Sequence, residues 1–235
     1  MESPIPRPQK ILFPGGQEGK SLAACLHPAP ITAFVGGGGK TSTMLALGAE
    51  LARRGLWVTV STTTRMWPVR GPLPRRMQVA GVLDPRGKLG PVADPEALKR
   101  DCDILLLEAD GSRGLPAKAP AAWEPVLTPN VGLVVAVQGL TAYEGPIKAV
   151  CHRSERVAAL LGKDVEDWLT PEDGAALLTS PQGQRKDVGE RRYQVVLNQA
   201  DDPAKIRLGE QIAAQLPREI PCILTCYDTK GAYQP

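Results

Sequence analysis

The sequence predicts an α/β fold, a mostly parallel sheet with helices on both faces. Three observations predict it. From residue 30 onward, apolar β-rich runs alternate with helix-patterned stretches, the order that builds parallel strands joined by crossover helices. At 30–64 a strand, a glycine loop, a helix and a second strand follow directly, as in a βαβ unit. "DILLLEAD" (103–110) is apolar until its acids, as expected of a strand covered on both faces.

Residues 1–9 read as a loose tail. "ILF" and then "GKSLAACL" read as a short strand or arm and a short helix, so 1–30 is expected to be an N-terminal leader. "PITAFV" (30–35) is a buried strand that stops at glycines. From Lys40 to Arg54, Met44, Leu47 and Leu51 recur at helical spacing, and Gly55 suits the position just past the helix end. "LWVTVSTTT" (56–64) is the next strand. A hairpin is expected over 77–93 with "DPRG" at its turn, then a short helix opening at Asp94–Pro95. "VGLVVAVQ" (131–138), "YQVVLN" (193–198) and "CILTCY" (222–227) are further strands, and 203–216 is an amphipathic helix. The 153–180 stretch reads as helical with a break near Thr170–Pro171, which makes 139–190 a candidate helical insertion in a domain spanning 31–235.

Composition narrows the function classes. A chain of 235 residues suits one α/β domain with a small appendage, and with 4% aromatics its core must be mostly aliphatic. The net charge of +3 is too small to imply nucleic acid. No run of about 18 apolar residues offers a membrane span, and the first nine residues lack the apolar centre of an export signal. A cytoplasmic location with reduced thiols is therefore expected. Cys222 and Cys226 lie four residues apart on a strand, roughly 13 Å, too far for a disulfide.

The chemistry centres on "FVGGGGKTS" (34–42). A glycine loop between strand and helix presents backbone N–H groups and the positive helix end to phosphate. Gly36, Gly37, Gly38 and Gly39 would form the cradle, Lys40 would meet the β/γ-phosphates, and Thr41 with Ser42 would supply hydroxyls, Thr41 to Mg²⁺. Phe34 stands where the longer P-loop pattern has glycine; the short form G-x-x-G-K-T resembles that of Mur-type peptide ligases. The expected fold is accordingly three-layered and P-loop NTPase-like. Glu108 and Asp110, two apart at a strand end, point to one face and are expected to hold the magnesium shell. Arg113 or Lys118 in "GSRGLPAKAP" would stabilise charge on a transferring phosphate, and Arg65 of "STTTR" ends a strand at the same sheet edge. "NQAD" (198–201) resembles the N-K-x-D element by which GTPases read guanine, with Asn198 and Asp201 as readers and Gln199 in place of lysine; both ATP and GTP stay open. His152 and Arg153 of "CHRSE" suit either an anionic ligand or a helix start capped by Ser154.

Taken together, "FVGGGGKTSTM", "VTVSTTTRM", "LLLEADGSRGLPAKAPAAWEPVLTP", "VCHRSE", "LTPEDGAALL" and "VVLNQAD" resemble the YqeC family in content and order, across about 31–201. The resemblance implies a nucleotide-dependent accessory factor in selenium cofactor biosynthesis, working with selenium-dependent molybdenum hydroxylases or their maturation factors. The chain departs from the family at Gln199, where lysine is common, and in its first 30 residues. Three functions stay open: a Mg²⁺-dependent NTPase in cofactor maturation, a kinase or Mur-like ligase that activates an acceptor, and a nucleotide-sensing scaffold. P-loop proteins often dimerise across nucleotide, so a homodimer is also among the expectations.

Overall fold

A computed structural model describes residues 5–69 and 71–228. The eight strands of its main sheet are β1 (Arg7–Leu12), β2 (Ile31–Gly36), β3 (Val58–Thr62), β4 (Met77–Val79), β5 (Ile104–Glu108), β6 (Leu133–Gly139), β7 (Arg192–Asn198) and β8 (Cys222–Asp228). Their spatial order is β1-β8-β7-β6-β2-β5-β3-β4. The strands from β4 to β8 pair in parallel, and β1 closes the edge antiparallel to β8. The fold is thus α/β with a mostly parallel central sheet.

Period-two alternation splits the strand residues between two cores. Phe34 joins the cluster under α1 (Leu22–Leu26) and α2 (Lys40–Arg53). Ala33 and Val35 join the opposite cluster with α5 (Pro171–Thr179) and α6 (Pro203–Ala214). A third apolar cluster ties Ala117 and Ala119 to α3 (Ile147–Val150), α4 (Ser154–Leu161) and α5 through Ile147, Val157 and Leu177. It is anchored by a short parallel pairing of Ala117–Lys118 with Cys151–His152.

Several local expectations change. Residues 7–9 belong to β1, because its backbone finds the open edge of β8; residues 1–4 of the expected tail lie outside the described residues. The expected hairpin is confined to Val82–Leu83 and Leu89–Gly90, since Met77–Val79 pairs with β3 instead. The helical break is a loop over 162–170, ended by a capping box in which Thr170 and Asp173 bond each other's backbone N–H. Arg153, at φ 60°, caps α4 through its backbone, so Ser154 is the first helical residue and not the cap. The five cysteines are free thiols, and burial pushes Cys151 and Cys222 up to about 12. No helix among the described residues is long and apolar enough to cross a membrane.

Candidate functional site

The glycine loop leaves the C-terminal end of β2 at the middle of the sheet and is clamped by its neighbours. Gly37 N donates to Val137 O at 2.8 Å, Gly38 N to Leu115 O at 3.2 Å, and Asn198 Nδ2 to Gly38 O at 2.8 Å. Shape requires glycine at all four positions of the loop, most tightly at Gly36 and Gly39. At Gly36 (φ 100°) a Cβ would sit 2.1 Å from Val137 O, and at Gly39 (φ 123°) one would sit 2.1 Å from Asn198 Nδ2.

Helix α2 begins just after Gly39 with no side-chain cap. The backbone N–H groups of Lys40, Thr41 and Ser42 find no acceptor among the described residues. Three orphan donors and the positive end of a 14-residue helix therefore open into one cleft. The cleft measures about 1360 Å³ and runs along the C-terminal strand ends. Such an end attracts an anion of phosphate size without further help from side chains.

Behind the loop, Glu108 at the end of β5 and Asp110 two residues beyond it divide the work. Glu108 is buried and lines the cleft; its Oε2 accepts from Thr41 Oγ1 at 2.6 Å. Burial raises its pKa above the ordinary glutamate value, against the opposing pull of Lys40 and the Thr41 hydroxyl. Asp110 is 1% exposed and fully engaged. Its oxygens accept from Gly36 N at 3.1 and 3.0 Å and pair with Lys40 Nζ at 3.2 Å and Lys118 Nζ at 3.0 Å. Lys40 Nζ also donates to Gly36 O.

The donor set fits magnesium at one acid rather than two. Thr41 and Glu108 offer oxygens on the cleft wall, suited to a hard cation that keeps water and phosphate oxygens as its other ligands. Asp110 is occupied by Gly36 and two lysines, so it fits a tether better than a ligand. No cluster of three or more His, Cys, Asp or Glu side chains gathers among the described residues.

Ser42, Arg113, Asn198 and Asp201 line the cleft with Gly38 and Gly39, whereas Gly36 and Gly37, expected in the cradle, do not line it and have their N–H groups bonded to Asp110 and Val137 O. Arg113, at φ 53°, makes no ion pair among the described residues. Asn198 has both amide atoms bonded within the protein, its Oδ1 accepting from Thr225 Oγ1 at 3.0 Å. Asp201 pairs with Lys205 at 2.9 Å. Gln199 Oε1 accepts from Thr141 N and Oγ1, bracing the turn after β6. Lys118 cannot reach the cleft: it is wholly buried, and Gly111 O, Glu124 Oε2 and Asp110 Oδ2 take its ammonium within 3.0 Å.

A family profile described as YqeC protein matches residues 32–155. The match spans the glycine loop, β5, the Arg113 loop and His152. The chain is also 34% identical over 192 residues to a protein titled "Uncharacterized protein YqeC" from Escherichia coli (strain K12), covering 71% of this chain and 74% of that one. The chain belongs to the YqeC family. This family segment also holds a part of the site that sequence reading missed. Glu124 accepts from Lys118 and from Arg153 Nη1, each at 2.7 Å, so a chain of alternating charges runs from Lys40 through Asp110, Lys118 and Glu124 to Arg153 at the cleft rim. The signal was there in "AKAPAAWE", a lysine and an acid six residues apart, but nothing local says that both are buried. The stacked pair of Lys88 and Trp67, 4.5 Å apart on the cleft wall, was likewise missed.

Proposed function

We propose that the chain binds a nucleoside triphosphate at 36–42 on a P-loop NTPase-like fold and hydrolyses it with Mg²⁺. The accessory role in selenium cofactor maturation for a molybdenum hydroxylase, implied by the family resemblance, is the setting in which that hydrolysis would act. One observation carries the reading: the N–H groups of Lys40, Thr41 and Ser42, which line the cleft, find no acceptor among the described residues.

In this reading the N–H groups at the α2 end receive the phosphates, the amides of Gly36, Gly37 and Gly38 being held by Asp110, Val137 O and Leu115 O, and Lys40 turns from Gly36 O and Asp110 to meet them. Thr41 and Glu108 would hold the magnesium, whose charge offsets that of the phosphates when it is bound. Arg113, which lines the cleft and has no acid partner among the described residues, would offset charge that develops on the terminal phosphate. Asp110 keeps Gly36 and Lys40 in register and stays out of the metal shell.

Titration of nucleotide-free protein with ATP and GTP, with and without Mg²⁺, tests this. Magnesium-dependent binding that Lys40→Ala abolishes is the expected result. Wild-type affinity in a folded Lys40→Ala protein would sink the assignment. The kinase or ligase reading is favoured by the size of the cleft, since about 1360 Å³ exceeds the roughly 300–1,000 Å³ of an ordinary ligand pocket. NTP consumption that requires an added acceptor would select it.

A further inference from the structure

The cleft has two unlike arms. Strand order places β6, β7 and β8 on one side of β2, and β5, β3 and β4 on the other. From β7 to β3 is four strand spacings, about 19 Å, so the arms are well separated. The β7 arm carries Asn198, Gln199 and Asp201, and its one acid is already paired with Lys205. The far arm carries Arg65, Arg86, Lys88, Arg113 and Arg153. Beyond Glu108, the acids that meet these cations among the described residues are Glu124, which is saturated by Lys118 and Arg153, and Asp84, which pairs with Arg65.

The far arm is held together by specific bonds. Met66 and Leu89 exchange backbone hydrogen bonds at 2.9 and 2.8 Å, locking the loop after β3 onto the 82–90 hairpin. Asp84 Oδ1 accepts from Arg86 N and Lys88 N at 2.8 and 2.9 Å, and its Oδ2 lies 3.4 Å from Arg65 Nε. One carboxylate thus organises three cations and neutralises one of them. Arg86 and Lys88 make no ion pair among the described residues, and Lys88 lies over the Trp67 ring. Arg153 lies 5.9 Å from the centre of Trp123, which is 72% exposed. Burial and the surrounding cations Arg153, Lys118 and Arg113 push His152 down to about 4, against Glu124 alone, which fits a wall with surplus positive charge.

We propose that this arm is a second ligand site, distinct from the glycine loop, for a small molecule bearing an oxyanion, phosphate or carboxylate. The proposal rests on the nucleotide reading in one respect: the ligand is the acceptor or cargo that meets the triphosphate end of the nucleotide at Glu108 and Arg113. Arg86, Lys88 and Arg113, which have no acid partner among the described residues, are the kind of donors that oxyanion recognition uses. The two tryptophans make the site observable, because each ring lies against a cation of the arm.

The test titrates inorganic phosphate, and separately citrate, into the protein saturated with a non-hydrolysable Mg²⁺–triphosphate, reading heat and tryptophan emission. One oxyanion should bind per chain, and Arg86→Gln/Lys88→Gln should weaken it by about tenfold or more, as loss of two charge-assisted contacts requires. Nucleotide affinity should be unchanged in that double variant. No binding of either anion to the saturated protein, or equal binding by the double variant, would overturn the proposal. If the triphosphate itself fails to bind, the nucleotide reading falls separately. The anion titration is then run on nucleotide-free Lys40→Ala protein: binding that still depends on Arg86 and Lys88 upholds the site, and insensitivity to them removes it.

Discussion

Asp110→Asn keeps the shape of the side chain and removes its charge, leaving Lys40 and Lys118 facing an amide at a site where they are 4% and 0% exposed. Removing one partner of a buried ion pair costs about 3–5 kcal/mol. Lys118 keeps Glu124 and Gly111 O, Lys40 keeps Gly36 O, and the amide oxygen can still accept from Gly36 N. The lower end applies, about 3 kcal/mol, a large share of the roughly 5–15 kcal/mol that stabilises a domain. At about 2–4 °C per kcal/mol for a chain of this size, the melting temperature should fall by about 6–12 °C. The assay is thermal unfolding followed by circular dichroism, without nucleotide or magnesium. A melting temperature within about 2 °C of the parent's would refute the view that Asp110 neutralises both lysines. A deficit seen only when magnesium and nucleotide are added would return Asp110 to the metal shell.

Other expected outcomes are as concrete. Asn198→Ala strips the donor from Gly38 O and the acceptor from Thr225, a loss of about 1–3 kcal/mol, and should weaken ATP and GTP alike; selective loss of GTP would reinstate Asn198 as a base reader. Gly36→Ala should cost about 1–3 kcal/mol from its left-handed φ alone and more from Val137 O, lowering both melting temperature and triphosphate affinity. Gly111→Ala, with open space around the added carbon and an ordinary φ, should leave the melting temperature unchanged; an equal drop in both variants would undo the clamp argument. His152 titrates from 6.5 when unfolded to about 4 when folded, so the unfolded chain binds the extra proton between those values. That stability is present above about pH 6.5 and is lost as pH falls toward 4, screened to about 1 kcal/mol by partial exposure of the ring. His152→Asn should therefore shrink the drop in melting temperature between pH 7 and pH 4.5, and an undiminished drop would place the acid sensitivity elsewhere.

Much of this protein is written locally. The apolar run of β2, the glycines after it and the helical spacing of Met44, Leu47 and Leu51 each depend on neighbours within a few residues, so the βαβ unit and its loop are legible from the chain. So are the helix starts at Asp94–Pro95 and Thr170–Pro171, where a cap and a fixed φ act within one turn. Glu108 and Asp110 were legible as a pair at a strand end, but their separate employments were not, because these depend on Thr41, Gly36 and Lys118 arriving from other segments. Tertiary structure alone decided that Asn198 braces the glycine loop 160 residues away. It alone buried Lys118, which the sequence offers as a free cation, and gathered Arg65, Arg86 and Arg153 along one wall. The physical reason is range. Hydrophobic periodicity and capping are settled within about one or two turns of chain, whereas a buried charge is tolerable only once distant partners have come together to desolvate it and pair with it.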